Sequence, residues 1–124
     1  MTRPSLQSPQ DSRPLVLVVD DEPGLRHVMV AMLREHYRTL TAADGREALA
    51  LLEVVGRDIA AVVTDIRMPG MDGLALAAAL RDRGITVPIL FVSGFRVIGE
   101  VPGPVLRKPF EPDDLLSAVQ RLVK

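Results

Sequence analysis

Short runs dense in β-branched and aliphatic residues alternate with amphipathic stretches along this chain, and that alternation narrows the choice of fold more than any other feature. The runs are LVLVV (15–19), RTLTA (38–42), IAAVVT (59–64), PILFVS (88–93) and PVLR (104–107), each about the length of an ordinary strand. Between the first two, Leu25, Val28, Met29, Met32 and Leu33 recur at the spacing of one helical face, and Pro23 stands near the first helical position. GREALALLEVV and DGLALAAALRDR are rich in alanine and leucine, which lose little on entering a helix. EPDDLLSAVQRLVK closes the chain with Pro112 at a helix start and Leu115, Val119 and Leu122 on one stripe. Strands that alternate with helices pair in parallel through right-handed crossovers, and the helices cover both faces of the sheet. The expectation is an α/β fold around five parallel strands.

Two segments depart from the pattern. GFRVIGEVPGP (94–104) holds three glycines and two prolines. Only Arg96 to Glu100 there is free of Pro and of internal breakers apart from Gly99, so the fourth helix is expected to be shortened to one or two turns or to be absent. At the other end, MTRPSLQSPQDSRP places three prolines, three serines and two glutamines in fourteen residues. Such a composition buries too little to offset its ordering entropy. Residues 1–13 are therefore read as a flexible tail and residues 14–124 as one folded domain.

Composition excludes several classes of function. The chain has 124 residues, 48% of them hydrophobic, which suits one compact domain; its only aromatics are Tyr37, Phe91, Phe95 and Phe110. Fifteen Lys and Arg against sixteen Asp and Glu give a net charge of -1, and no basic run could track a phosphate backbone, so direct nucleic-acid binding is not expected. The absence of cysteine removes disulfides and thiolate metal sites. The first residues lack a signal-peptide core, and no apolar run approaches the roughly 20 residues that span a bilayer. A cytoplasmic protein without membrane attachment is expected.

Open parallel sheets bind ligands outside the carboxyl ends of their strands. That rule gathers Asp20, Asp21 and Glu22 after the first strand, Asp65 after the third, Ser93 after the fourth and Lys108 after the fifth. Singly, each has an ordinary explanation: acidic residues after strands cap helices, a serine there is a turn hydroxyl, and a lysine is usually solvated. Together they crowd carboxylates at one rim, where like charges repel unless a cation lies between them. Carboxylates and backbone oxygens, without Cys or a His cluster, suit a hard ion such as Mg²⁺. A strand-end Asp beside that ion, a lysine and a hydroxyl can accommodate a phosphoryl group.

LVLVVDDEP, VVTDIRMPGMDG, ILFVSG and VLRKPF stand in this order over residues 15–124. They resemble the four signatures of the receiver domain of bacterial two-component response regulators. The resemblance implies a doubly wound, flavodoxin-like sheet in the order 2-1-3-4-5. It implies that Asp65 is the phosphoacceptor, taking its phosphoryl group from the phosphohistidine of a histidine kinase or a histidine phosphotransfer protein. Asp21 and Asp65, with the backbone carbonyl of Arg67, would bind Mg²⁺, or Mn²⁺ in its place, and Asp20 would hold the metal through water. Ser93 and Lys108 would each meet a phosphoryl oxygen, and Gly94 would leave room for the group to enter. Lys108–Pro109 corresponds to the family's cis peptide, which an X-Pro bond tolerates. Such a chain is a phosphoryl acceptor rather than an enzyme with outside substrates. It is either a single-domain response regulator or the terminal receiver of a hybrid histidine kinase, and its downstream protein partner is not named by the sequence.

The chain also differs from the family pattern. Val105 occupies the position, three before the conserved lysine, where receivers usually carry a rotating Tyr or Phe. Arg67 and Phe95, two residues beyond Asp65 and Ser93, flank the path of hydrolytic water by the same resemblance, and their bulk predicts a long-lived aspartyl phosphate. His27 and His36 lack a second ligand set and read as surface residues, while Met68 and Met71 read as packing for the loop. Two other readings compete. A Mg²⁺-dependent phosphatase would need an acid-base Asp two residues after its nucleophile, where this chain has Arg67. A degenerate receiver, serving only as a protein-binding module, would show a damaged acidic site.

Overall fold

The computed structural model describes residues 11–94 and 99–123. Five strands, β1 (Leu15–Val19), β2 (Arg38–Ala42), β3 (Ile59–Asp65), β4 (Ile89–Ser93) and β5 (Val105–Arg107), form one sheet in the order β2-β1-β3-β4-β5. Every neighbouring pair is parallel. Four helices are found among the described residues: α1 (Pro23–Leu33), α2 (Gly45–Val55), α3 (Gly73–Asp82) and α4 (Pro112–Val123). The expected doubly wound sheet and its strand order are observed.

The sheet divides the interior into two cores, and β1 explains how. Successive strand residues point to opposite faces, so Leu15, Leu17 and Val19 pack with Ala48, Leu49 and Leu52 of α2 and with Leu76 and Leu80 of α3. Val16 and Val18 pack with Met29 and Leu33 of α1 and with Leu115, Ala118 and Val119 of α4. Each Val, Leu and Met among these side chains contributes about 1.5–3 kcal/mol on full burial, and each Ala less. Met29 and Leu33 carry the apolar stripe of α1, with Leu25 and Met32 at its margin. Val28, expected on that face, is 43% exposed. It is rotated by about 100° from Met29 and points past the edge of the contact.

Strand limits differ from the expected runs where proline intervenes. β4 starts at Ile89 rather than Pro88 and β5 at Val105 rather than Pro104, because Pro has no N–H for the ladder. The proline carbonyls still accept, from Val62 N–H and Phe91 N–H respectively, both at 2.9 Å. Between β4 and β5 there is no helix among the described residues; of the region 95–103, where at most one or two helical turns were expected, residues 99–103 are not helical and residues 95–98 lie outside the described residues. The returning segment passes close over β4. A Cβ on Gly103 would stand 2.9 Å from the Ile89 carbonyl oxygen and 3.2 Å from Phe91 Cε2, a separation that only glycine allows.

Residues 1–10 of the expected tail also lie outside the described residues. Asp11–Arg13 contact the domain: Arg13 pairs with the Asp11 carboxylate through Nε at 2.8 Å and Nη2 at 2.7 Å. Its Nη1 donates to the Arg34 carbonyl at the end of α1, and Arg38 Nε donates to the Arg13 carbonyl at 2.8 Å. No helix of the described residues is long and apolar enough to cross a membrane.

Candidate functional site

Strand register brings the rim residues together. Val19 pairs with Thr64, so Asp20 and Asp65 follow side by side on the two central strands. Asp65 pairs with Val92, and Ser93 comes next on β4. Ser93 pairs with Arg107, and Lys108 follows just past the end of β5. The Lys108 N–H donates to the Ser93 carbonyl at 2.8 Å, and Lys108–Pro109 is cis. Each candidate residue thus lies at or just beyond the end of a parallel ladder that is buried along β1, β3 and β4 and exposed at the edge strand β5.

Lys108 Nζ lies 3.2 Å from Asp65 Oδ2 and donates a hydrogen bond to it. It lies 3.9 Å from Asp20 Oδ2, close enough for Coulombic attraction but too far for a hydrogen bond. Carboxylate oxygens of Asp20, Asp21 and Asp65 all fall within 4.8 Å of one another. Asp20 is 1% exposed, Asp65 8% and Ser93 3%, whereas Asp21 is open to solvent. The crevice therefore has a buried floor and one wet wall.

The Asp20 carboxylate is poorly compensated. Its Oδ1 accepts from the Glu22 N–H at 2.8 Å, while Oδ2 is buried without a hydrogen-bond partner. Burial pushes its carboxyl above the ordinary value; the Glu22 N–H opposes that push and the neighbouring Asp65 reinforces it. Three clustered carboxylates with one orphaned buried oxygen, opposed by one lysine, fit a hard divalent cation by charge and by ligand type. Glu22, grouped with these residues by position in the sequence, enters the site only through its backbone: its side chain is exposed and outside the cluster. Arg67 is exposed beside the cluster, and Met68 and Met71 pack against the core as expected. His27 and His36 are on the surface. Phe95 lies outside the described residues.

Two contributors escaped the reading of the sequence. Gly73 opens α3, its N–H donates to the Ile66 carbonyl at 2.9 Å, and a Cβ there would lie 2.4 Å from the Asp65 carbonyl oxygen. Its signal was the Asp-Gly step, in which Asp72 caps α3 by accepting from the Ala75 N–H at 2.8 Å. Arg26 donates from Nη1 to the Asp20 carbonyl at 2.7 Å, a contact with no signature in spacing alone.

Comparison with known proteins agrees with this geometry. The family model described as "Response regulator receiver domain" matches residues 16–120. Among curated relatives, the transcriptional regulatory protein TcrA of Mycobacterium tuberculosis is 36% identical over 115 residues, covering 86% of this chain and 45% of that protein. AruR of Pseudomonas aeruginosa is 36% identical over 122 residues, covering 90% of this chain and 50% of its own. The chain spans about half the length of the curated relatives it matches. Among solved structures, the receiver domain from the hybrid histidine kinase CckA superposes with a TM-score of 0.78 at 34% identity, covering 89% of this chain and 99% of that one. The chemotaxis response regulator CheY4 of Vibrio cholerae gives a TM-score of 0.78 at 31% identity, over 90% of this chain and 99% of that one. With its sheet order, acidic crevice and a family match over residues 16–120, the chain belongs to the response regulator receiver domain family of two-component signalling.

Proposed function

We propose that Asp65 accepts a phosphoryl group from the phosphohistidine of a histidine kinase or a histidine phosphotransfer protein. The observation that supports this best is the placement of Asp65 at the end of a central strand, with Lys108 Nζ 3.2 Å away and Asp20 and Asp21 within the same cluster. A carboxylate oxygen of Asp65 attacks phosphorus in line with the P–N bond. That bond breaks, its electron pair returns to the imidazole nitrogen, and the product is an aspartyl phosphate. Phosphoryl transfer asks for positioning and charge stabilisation more than for a strong base, and the crevice offers both.

Lys108 exchanges its Asp65 contact for a phosphoryl oxygen, and the Ser93 hydroxyl donates to another. Asp20, Asp21, Asp65 and the Arg67 backbone carbonyl would hold Mg²⁺, with Mn²⁺ as a substitute. When bound, that cation offsets the charge on the transferred phosphoryl oxygens. The domain works in the cytoplasm as an acceptor and switch and does not turn over outside substrates; its output passes through contacts with a protein. Its net charge of -1 gives it no electrostatic hold on nucleic acid.

Incubation with Mg²⁺ and a small acyl phosphate, followed by intact-mass spectrometry, tests the reading. One added phosphoryl group is expected on the wild type and none on Asp65→Asn. Labelling of Asp65→Asn at the wild-type rate would overturn it. A wild type that binds cations but never takes phosphate would point to a binding module.

A further inference from the structure

Arg26 sits in the first turns of α1, outside the acidic cluster, and no step of the proposed reaction uses it. Its Nη1 donates to the Asp20 carbonyl at 2.7 Å in a partly buried setting, and its own N–H is held by the Glu22 carbonyl at 3.0 Å. Asp20 is thereby fixed at three atoms. Its N–H donates to the Ala42 carbonyl at 3.2 Å, its carbonyl accepts from Arg26, and its Oδ1 accepts from Glu22 N–H at 2.8 Å. Only Oδ2 is left without a hydrogen bond, buried among the acidic residues.

The carbonyl contact has leverage because a peptide group turns as one plane. The plane that carries the Asp20 carbonyl also carries the Cα atoms of Asp20 and Asp21, so holding that oxygen restrains the two Cα atoms from which the side chains depart. A hydrogen bond from a guanidinium is roughly twice as strong as a neutral one. Repulsion among three carboxylates is the force it resists.

We infer that Arg26 is a positioning residue for cation binding: by holding the Asp20 carbonyl it orients the Asp20–Asp21 peptide so that both carboxylates meet Asp65. The inference rests on the reading of the cluster as a cation site. It makes a prediction opposite in sign to simple electrostatics. A guanidinium near a cation site repels the ion, so removing a mere charge would tighten binding, whereas removing a support of this kind weakens metal binding by about 10- to 100-fold.

Calorimetric titration of Mn²⁺ and Mg²⁺ into the wild type, Arg26→Lys and Arg26→Met decides between them, alongside hydrogen exchange of the Glu22 amide without cation. The expected result is Mn²⁺ binding weakened about 10- to 100-fold in Arg26→Met, intermediate affinity in Arg26→Lys, and faster exchange of the Glu22 amide in Arg26→Met. Arg26→Gln replaces Arg26→Met if the latter does not fold. Affinity in the charge-removing variant equal to or above the wild type, or unchanged Glu22 protection, overturns the inference. A wild type that binds neither cation instead defeats the cluster reading itself, a result distinct from a wild type and a variant that bind equally well.

Discussion

Lys108 Nζ reaches Asp65 Oδ2 at 3.2 Å but stays 3.9 Å from Asp20 Oδ2, so this lysine hydrogen-bonds one buried carboxylate and only partly compensates the other. Asp20 is the group that a bound cation would relieve most, and the cation-free domain carries its uncompensated charge as a cost.

That cost has a defined sign. The folded Asp20 carboxyl lies above its ordinary value of 3.8, chiefly through burial, so the folded state holds the proton more tightly than the unfolded chain. Its effect on stability is absent below the unfolded value, and stability declines as pH rises through the higher folded value. Asp20→Asn should therefore melt on the order of a few degrees above the wild type at neutral pH without cation. Saturating Mg²⁺ should reverse the order, because only the wild type gains full binding energy. Equal melting temperatures in both conditions would contradict the account.

Lys108→Met tests the role that the proposed function gives the lysine. Removing its charge leaves the carboxylate cluster intact, so Mg²⁺ affinity should hold or rise. Phosphoryl uptake from a phosphohistidine donor should fall by at least about tenfold, the loss expected when one positioned charge is removed from a phosphoryl-transfer site. Rapid-quench transfer assays beside calorimetry would show both effects, and a loss of cation affinity matching the loss of transfer would count against this division.

Gly73→Ala tests the contact between α3 and the end of β3. Alanine is the better helix former by at most about 1 kcal/mol. Its Cβ, however, would sit 2.4 Å from the Asp65 carbonyl oxygen. Forcing the helix off that contact should cost roughly 1–3 kcal/mol, and the steric term should win. Denaturant titration should show a lower midpoint, with weaker phosphorylation in the folded fraction; a midpoint at or above the wild type would mean that α3 shifts freely.

On the proposed function, the lifetime of the aspartyl phosphate would depend on access of water to phosphorus. Arg67 is exposed beside the cluster, and Phe95 follows Ser93 by two residues. Arg67→Asn combined with Phe95→Ala should shorten the phosphate half-life several-fold, measured by the decay of the phosphorylated mass. An unchanged half-life in the double variant would remove shielding as the explanation.

Much of this was legible from residue order. β1 and β2 match the apolar runs LVLVV and RTLTA at both ends, and α2 matches GREALALLEVV, because apolar periodicity and turn residues agree there. Proline blurred the starts of β4 and β5, where it withholds an N–H yet still lends its carbonyl. The candidate site was legible as a set of strand-end positions, since the parallel ladder turns sequence position into spatial proximity. Val28 was misplaced because helical spacing identifies a stripe but not its margin. The roles of Gly73 and Arg26 were hidden for another reason: a close approach and a side-chain bond to a carbonyl arise between elements, and no local pattern records them.

The alternating faces of β1 carry a last consequence. Leu17 and Val19 belong to one core and Val16 and Val18 to the other, so this strand is a party wall with a tenant on each side. Asp20 and Asp21 are mounted on its end. A cavity opened under α2 or under α4 loosens the same wall from opposite directions, and either disturbance reaches the acidic pair without touching it. Substitutions scattered through both cores should therefore register first as weakened cation binding, before the fold itself is lost.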